Sequence, residues 1–243
     1  MTARKPPETW FWPHDIKPNQ IDTVVMPGTR LMRLSSYGSG TAQRFAALLY
    51  QEPGAERSYA LDLDAATLAA QLQDTGARPV AITVDERTGA RRFSVVLERG
   101  PGPVCSAHVD LDDAGVRTLV DDDHRIADLA TYLVDGARRY AAVIEQRPGA
   151  SWLFTGVTAH ELDARLVELG AALVRVRAYV QGGRPMFAAV AEPARSPRWA
   201  WYADLDGDAV ARNLEANRAY PVDLDATRDA RGVRYTIIMV RDH

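Results

Sequence analysis

The sequence predicts an α+β protein: five tandem helix, strand, strand repeats forming one curled antiparallel sheet, a half-barrel, with the helices on its outer face. Three observations predict it. Five apolar runs led by an aromatic recur in register: RFAALLY from Arg44, RFSVVLE from Arg92, RYAAVIE from Arg139, MFAAVAE from Met186 and RYTIIMV from Arg234. Their aromatics, Phe45, Phe93, Tyr140, Phe187 and Tyr235, lie 48, 47, 47 and 48 residues apart, a spacing that chance does not produce. An alternating stretch precedes the run (RPVAITV at Arg78, LVRVRAY at Leu173, YPVDLDA at Tyr220), and a short Gly-containing turn joins the two into a hairpin. A Pro/Gly stretch follows, then a segment with apolar residues three and four apart: Leu68 and Leu72, Val116 with Leu119 and Val120, Leu162 with Leu166 and Leu169, Val210 with Leu214.

The units fall at about 18–50, 62–98, 110–145, 157–192 and 205–241, within one repeat domain over 18–243. The lead unit carries Ile21, Val24 and Val25 as its helical stripe. Residues 1–17 form an N-terminal aromatic arm outside the repeat. Its Trp10, Phe11 and Trp12 are too apolar to leave in water and dock as a cap on the sheet or as a wall over its trough.

Each helix opens on an aligned polar residue: Asp64 in LDLDAATL, Asp112 in VDLDDAGV, Thr158 in TGVTAHEL and Asp206 in ADLDGDAV. These are N-cap residues, and Thr158 with Glu161 spells a capping box. The alignment disarms a calcium-loop likeness in DLDGDAVARNLE. Asp204, Asp206, Asp208 and Glu215 have the spacing of an EF-hand, but Ala209 stands where that loop turns on Gly.

Composition bounds the function. Hydrophobic residues at 47% and charged residues at 25% are those of a folding globular chain. A net charge of -3 gives no general attraction to nucleic acid or anionic membrane, so neither is an expected partner. Lys5 and Lys17 are the only lysines, and nearly all positive charge is arginine, suited to fixed ion pairs and to carboxylate or phosphate recognition. A lone Cys105 excludes an internal disulfide and a multi-cysteine zinc site. No signal peptide or spanning segment is present, so a soluble, cytoplasmic protein is expected.

Alternation sorts the first strands into two faces. One is apolar, with Met32, Leu34, Val80, Ile82, Val174 and Val176, and belongs to the core. The other is polar: Arg33, Ser35 and Tyr37; Thr83 and Asp85; Asp128 and Tyr132; Arg175, Arg177 and Tyr179; Asp223 and Asp225. The second strands are apolar on both faces, with the small residues Ala46, Ser94, Ala141, Ala188 and Thr236 opposite the aromatics, and Glu98, Glu145 and Glu192 further along. A curled sheet would gather the polar and small sets into a concave trough able to receive a ligand. The competing reading pairs these charges across neighbouring strands as ordinary surface furniture.

The pattern of RPVAITV, RFSVVLE, a Pro/Gly stretch and a DLD-capped helix resembles the bacterial tandem repeats that form the N-terminal domain of polyglycine hydrolases and related actinobacterial serine hydrolases. The similarity covers roughly residues 18 to 243. It implies a half-barrel sheet and a recognition role. Catalysis in that family belongs to a separate β-lactamase-like domain, which is missing here: no Ser-x-x-Lys occurs, since the only lysines are at positions 5 and 17.

Two functions remain. The first is a binding module holding a small molecule or peptide through Arg33, Tyr37, Tyr132, Arg175, Arg177 and Tyr179. The alternative is a metal- and cofactor-independent acid/base enzyme, a cyclase, isomerase or lyase of small-molecule biosynthesis, with Asp128, Asp223 or Glu145 as its carboxylate. Cys105 and His108 could form a thiol and base, but their repeat register places both in a connection. The histidines show no metal-ligand spacing, and no phosphate-binding loop or dinucleotide fingerprint occurs, so no metal or cofactor is expected. Open sheet edges would allow a homodimer.

Overall fold

The computed structural model describes residues 6–87, 90–194 and 198–241. Each repeat contributes a strand, a helix and then a hairpin. The first unit holds β1 (Thr9–Phe11), α1 (Ile21–Val24), β2 (Thr29–Tyr37) and β3 (Arg44–Gln51). The second holds β4 (Arg57–Leu63), α2 (Ala65–Asp74), β5 (Arg78–Arg87) and β6 (Ala90–Glu98). The third holds β7 (Cys105–Leu111), α3 (Asp113–Thr118), β8 (His124–Val134) and β9 (Ala137–Gln146). The fourth holds β10 (Trp152–Val157), α4 (Ala159–Leu169), β11 (Ala171–Gln181) and β12 (Arg184–Pro193). The fifth holds β13 (Trp199–Leu205), α5 (Gly207–Asn217), β14 (Ala219–Asp229) and β15 (Gly232–Arg241).

The protein is α+β and antiparallel throughout, but the single ten-stranded half-barrel is not what forms. Five separate three-stranded sheets do, ordered β1-β3-β2, β4-β6-β5, β7-β9-β8, β10-β12-β11 and β13-β15-β14. The third strand of each unit comes from the segment between hairpin and helix, expected to be a connection. That includes the aromatic arm: Thr9 pairs with Gln51 and Trp10 with Tyr50, just as Arg57 pairs with Glu98 and Cys105 with Glu145. Residues 9–11 thus belong to the first repeat.

The sheets pack face to face in a ring. Phe93, Val95 and Leu97 of the second unit share a core with Ala141 and Val143 of the third, and Tyr140 and Ile144 of the third with Ala188 and Val190 of the fourth. Phe187 and Ala189 of the fourth meet Ile238 of the fifth. Tyr235, Ile237 and Met239 of the fifth meet Ala46 of the first, and Phe45 and Leu49 of the first meet Val96 of the second, which closes the circle. This is the radial blade packing of a small β-propeller. It explains why the second strands are apolar on both faces. The small residues Ala46, Ala141 and Ala188 let the bulky aromatic face of the preceding blade approach, so they supply packing rather than room for a ligand.

The first hairpin strands, β2, β5, β8, β11 and β14, line the axis, and their bare edges are covered by side chains of the next blade. The backbone N–H of Ser36 donates to Thr83 Oγ1 at 2.9 Å, that of Ile82 to Asp128 Oδ2 at 2.8 Å, that of Val176 to Asp223 Oδ2 at 2.9 Å and that of Ala226 to Ser35 Oγ at 2.9 Å. Between the third and fourth blades the direction reverses, and Arg177 Nε donates to the carbonyl of Leu129 at 2.5 Å. An edge so occupied cannot recruit another strand.

The helix caps follow the sequence. Asp64, Asp112, Thr158 and Asp206 accept from the amides of Thr67, Gly115, Glu161 and Ala209. Asp204, the first residue of the calcium-loop likeness, has a φ of 58°, as Asp15, Asp62, Asp110 and Gly156 have left-handed φ at the same point of their units. There the outer strands of the second to fifth units slip register against their neighbours, as between His108 and Leu111. Among the described residues no helix is long and apolar enough to cross a membrane.

Candidate functional site

Placing alternate polar residues on five strands that face one axis stacks them in layers. Arg33, Asp128, Arg175 and Asp223 make one layer, and Ser35, Thr83, Arg177 and Asp225 make the next. The polar face is therefore no open trough. Asp128 and Asp223 are about 1% and 0% exposed, and Arg177 is 7% exposed. A charge there must be paired, and Arg177 does most of the pairing. Its Nη2 lies 2.5 Å from Asp128 Oδ1 and its Nη1 2.8 Å from Asp223 Oδ2, while Nη1 also donates to the carbonyl of Val176 at 2.7 Å. Arg33 Nε approaches Asp223 at 3.4 Å, and Arg33 Nη1 donates to the carbonyl of Met32 at 2.7 Å. Arg175 Nε donates to the carbonyl of Ala127 at 2.7 Å and lies 3.4 Å from Asp128.

These arginines, expected to hold an acidic ligand, are thus consumed by carboxylates of neighbouring blades and by carbonyls of their own and neighbouring blades. The pairing of charges across strands, weighed from the sequence as mere surface furniture, is realised as the seal of the ring. Burial pushes the Asp128 carboxyl up, against the pull of Arg177 and Arg33. Neither Asp128 nor Asp223 reaches the cavity described below.

Glu145 lies at the opposite end of the axis. There Arg125, 2% exposed, donates from Nε to Glu145 at 3.1 Å and pairs through Nη1 with Glu192 at 2.9 Å, and Arg147 bridges the same two carboxylates. Burial pushes Glu145 up, partly offset by Arg125. Beside them Glu98 gathers Arg30, Arg57 and Arg78. Burial alone would raise Glu98, but Arg57 and Arg78 outweigh it and hold its carboxyl below the usual range. This end is a belt of ion pairs within and between blades, and it separates Glu145 from the other two acid/base candidates.

The tyrosines have a different task. Tyr37, Tyr132 and Tyr179 each turn a hydroxyl to the amide of the left-handed residue in or shortly after the outer strand of the same unit: Asp15 at 3.0 Å, Asp110 at 2.6 Å and Gly156 at 3.0 Å. The slip in register leaves that N–H without a ladder partner, and the tyrosine satisfies it. Burial pushes the Tyr37 and Tyr132 hydroxyls up, away from any proton-transfer range near neutrality.

One cavity draws on all five repeats. It opens at the hairpin ends of the inner strands, has a volume of about 440 Å³, and includes Ser36, Thr83, Thr131, Ala178 and Thr227 in its wall. That volume is within the range of small-molecule sites. Tyr37 and Tyr179 stand in its side, and the guanidinium of Arg138 lies 4.1 Å over the Tyr179 ring. At its base are Arg177 and Asp225. Asp225 Oδ2 accepts from the Ala178 amide at 2.9 Å, and Oδ1 accepts from Ser35 Oγ at 3.2 Å. Burial is the main cause that pushes its carboxyl up to about 6, with Arg177 opposing and Asp223 adding to the rise. Asp225 stood in the polar set read from the sequence but not among the candidate acids. The signal that marks it is its position one layer nearer the hairpin than Asp128 and Asp223, visible once the strands are known to face an axis.

The thiol and base do not meet. Cys105 and His108 lie on opposite faces of β7 by alternation. Burial pushes the thiol up to about 11, and Glu145 adds to it, while His108 Nε2 is 2.9 Å from Ser106 Oγ. In comparisons with known proteins, the chain matches no protein-family model and no curated sequence.

Proposed function

We propose that the protein binds a small polar molecule in the cavity at the hairpin end of the ring axis. One observation carries this reading: all five repeats converge on a single concavity of about 440 Å³ with an almost buried carboxylate at its base. Thr83, Thr131 and Thr227 line the same space, giving it the few convergent polar groups of a small-molecule site. The resemblance to recognition repeats supports the same role. The residues assigned to the ligand change accordingly. Asp225, Thr131 and Thr227 replace Arg33, Arg175 and Tyr132, which do not line the cavity.

The raised pKa of Asp225 supports a second reading, an acid/base enzyme in which that carboxyl exchanges a proton with bound substrate. A group that titrates near 6 holds and releases protons near neutrality, and Asp225, unlike Asp128 and Asp223, is not ion-paired to arginine among the described residues.

A thermal-shift screen against polar metabolites, run on the natural chain and on Thr227→Phe, tests the binding reading. Hits that raise Tm in the first and not in the second are expected, because the phenyl ring occupies the cavity mouth. A screen without hits, or hits indifferent to Thr227→Phe, would overturn it. Incubating each hit with the protein and following it by mass spectrometry separates the readings. Product that disappears with Asp225→Asn identifies an enzyme, and unchanged hits identify a binding module.

A further inference from the structure

The ion pairs on the axis are unevenly distributed. Asp128 is paired by Arg177 and Arg175, and Asp223 by Arg177 and Arg33. Asp225, the carboxylate nearest the cavity, has no directly paired cation among the described residues, although it is 8% exposed. Its two hydrogen bonds, from the Ala178 amide and the Ser35 hydroxyl, occupy two of about four lone-pair positions. Arg177 cannot turn to it. Its Nε and Nη1 are held by Leu129, Val176 and Asp223, and its Nη2 by Asp128. A buried carboxylate with accepting capacity and no cation is completed by a cationic donor.

At the mouth the sign reverses. Arg228, three residues further along β14 and so about 10 Å away by strand rise, lines the cavity, is exposed, and has no ion pair among the described residues. The neighbouring Arg231 is already held by Asp204 at 2.7 Å and Asp229 at 2.8 Å.

We infer that the cavity takes a small zwitterionic amine, with its ammonium group on Asp225 at the base and its carboxylate toward Arg228 at the mouth. This rests on the cavity being a binding site, and it reverses the charge that the arginines of the polar face suggested for the ligand. Thr83, whose oxygen accepts from the Ser36 amide, still has its own O–H to donate. Thr131 and Thr227 add hydroxyls around the ligand's chain.

Saturation-transfer NMR with four matched probes, pentylamine, pentanoate, 5-aminopentanoate and 1-pentanol, tests the assignment on the full chain. 5-Aminopentanoate and pentylamine are expected to bind, with the first tighter, and pentanoate and pentanol not to. Arg228→Ala should remove the advantage of 5-aminopentanoate over pentylamine. Asp225→Asn should abolish both. Acidification tests the same contact without a mutation. The groups facing Asp225 are Arg177 from β11, Asp223 on its own strand, which is itself paired to Arg177 and Arg33, and the Ser35 hydroxyl from β2. Amine binding should therefore weaken about tenfold between pH 7 and pH 5, while the probe stays protonated. Binding of pentanoate alone, or amine binding indifferent to both Asp225→Asn and pH, would overturn the inference and leave the cavity a binding site. If no probe binds while the metabolite screen finds hits blocked by Thr227→Phe, the amine class is wrong. If neither finds a ligand, the cavity reading falls as well.

Discussion

Arg177 sits where two carboxylates from different blades converge, and its guanidinium spans them at 2.5 and 2.8 Å. Removing it leaves two buried negative charges without their closest partner. We expect Arg177→Met to cost about 3–5 kcal/mol, read as a fall in Tm of roughly 6–20 °C for a chain of this size. A loss of only a degree or two would mean that Arg33 and Arg175 compensate. Asp225 makes the opposite case, a carboxylate that folding leaves short of positive charge. Its folded pKa of about 6 lies above the ordinary 3.8, so the folded state holds the proton more tightly than the unfolded chain between those values. Stability attributable to this group is therefore present at low pH and is lost as pH rises from about 4 to about 6. Asp225→Asn keeps the shape and removes the titration. Urea denaturation across that window should show the variant gaining about 1–3 kcal/mol relative to the natural chain as pH rises. An unchanged difference would show that Asp225 is adequately paired.

Among the elements, the helices were the most legible in the sequence, because period and cap agree. Asp206 accepts from Ala209 N at 2.7 Å, so Asp206→Ala should cost about 1 kcal/mol with or without calcium. A penalty that appeared only with calcium would restore the loop likeness. α4 and α5 end alike, with Gly170 at φ 58° and Arg218 at φ 46°. Only glycine adopts that conformation without strain, so Arg218→Gly should stabilise by about 1 kcal/mol in thermal or urea unfolding. The outer strands are hidden in the sequence for a physical reason. They are short, they carry a register slip at a left-handed residue, and they follow Pro/Gly stretches, so Arg57–Leu63 and Cys105–Leu111 read as connections. Trp10 looks separate from the repeat for the same reason. The polar face was sorted correctly by alternation, yet its neighbours could not be: periodicity says which residues share a face and not what that face meets. Asp128, Asp223 and Arg177 were placed together, as expected, but inward. Glu145 was carried to the far end because it sits near the start of the blade and not the turn.

For the whole molecule, the 47-residue spacing announced a repeat without saying whether it stays open or closes. In an open array, losing the last repeat costs that repeat and one interface. Here the fifth unit also buries Tyr37 and Ala46 of the first and donates the Ala226 amide to Ser35. Deleting residues 199–241 should expose two apolar blade faces at once, giving an aggregating or molten chain by dye binding and gel filtration. A monomer that unfolds cooperatively within a few degrees of the parent would mean that the ring is dispensable.

The axis contacts also set where this sequence can take another blade. Every blade is cut from one continuous stretch of chain, with its own outer strand, so a duplicated 47-residue cassette could be inserted without dividing any sheet. The aromatic and small faces would accept it, since they match from blade to blade. The centre would accept it only away from the fourth blade: a sixth inner strand on either side of β11 would part Arg177 from Asp128 or from Asp223. One side chain thus fixes which three blades must stay neighbours.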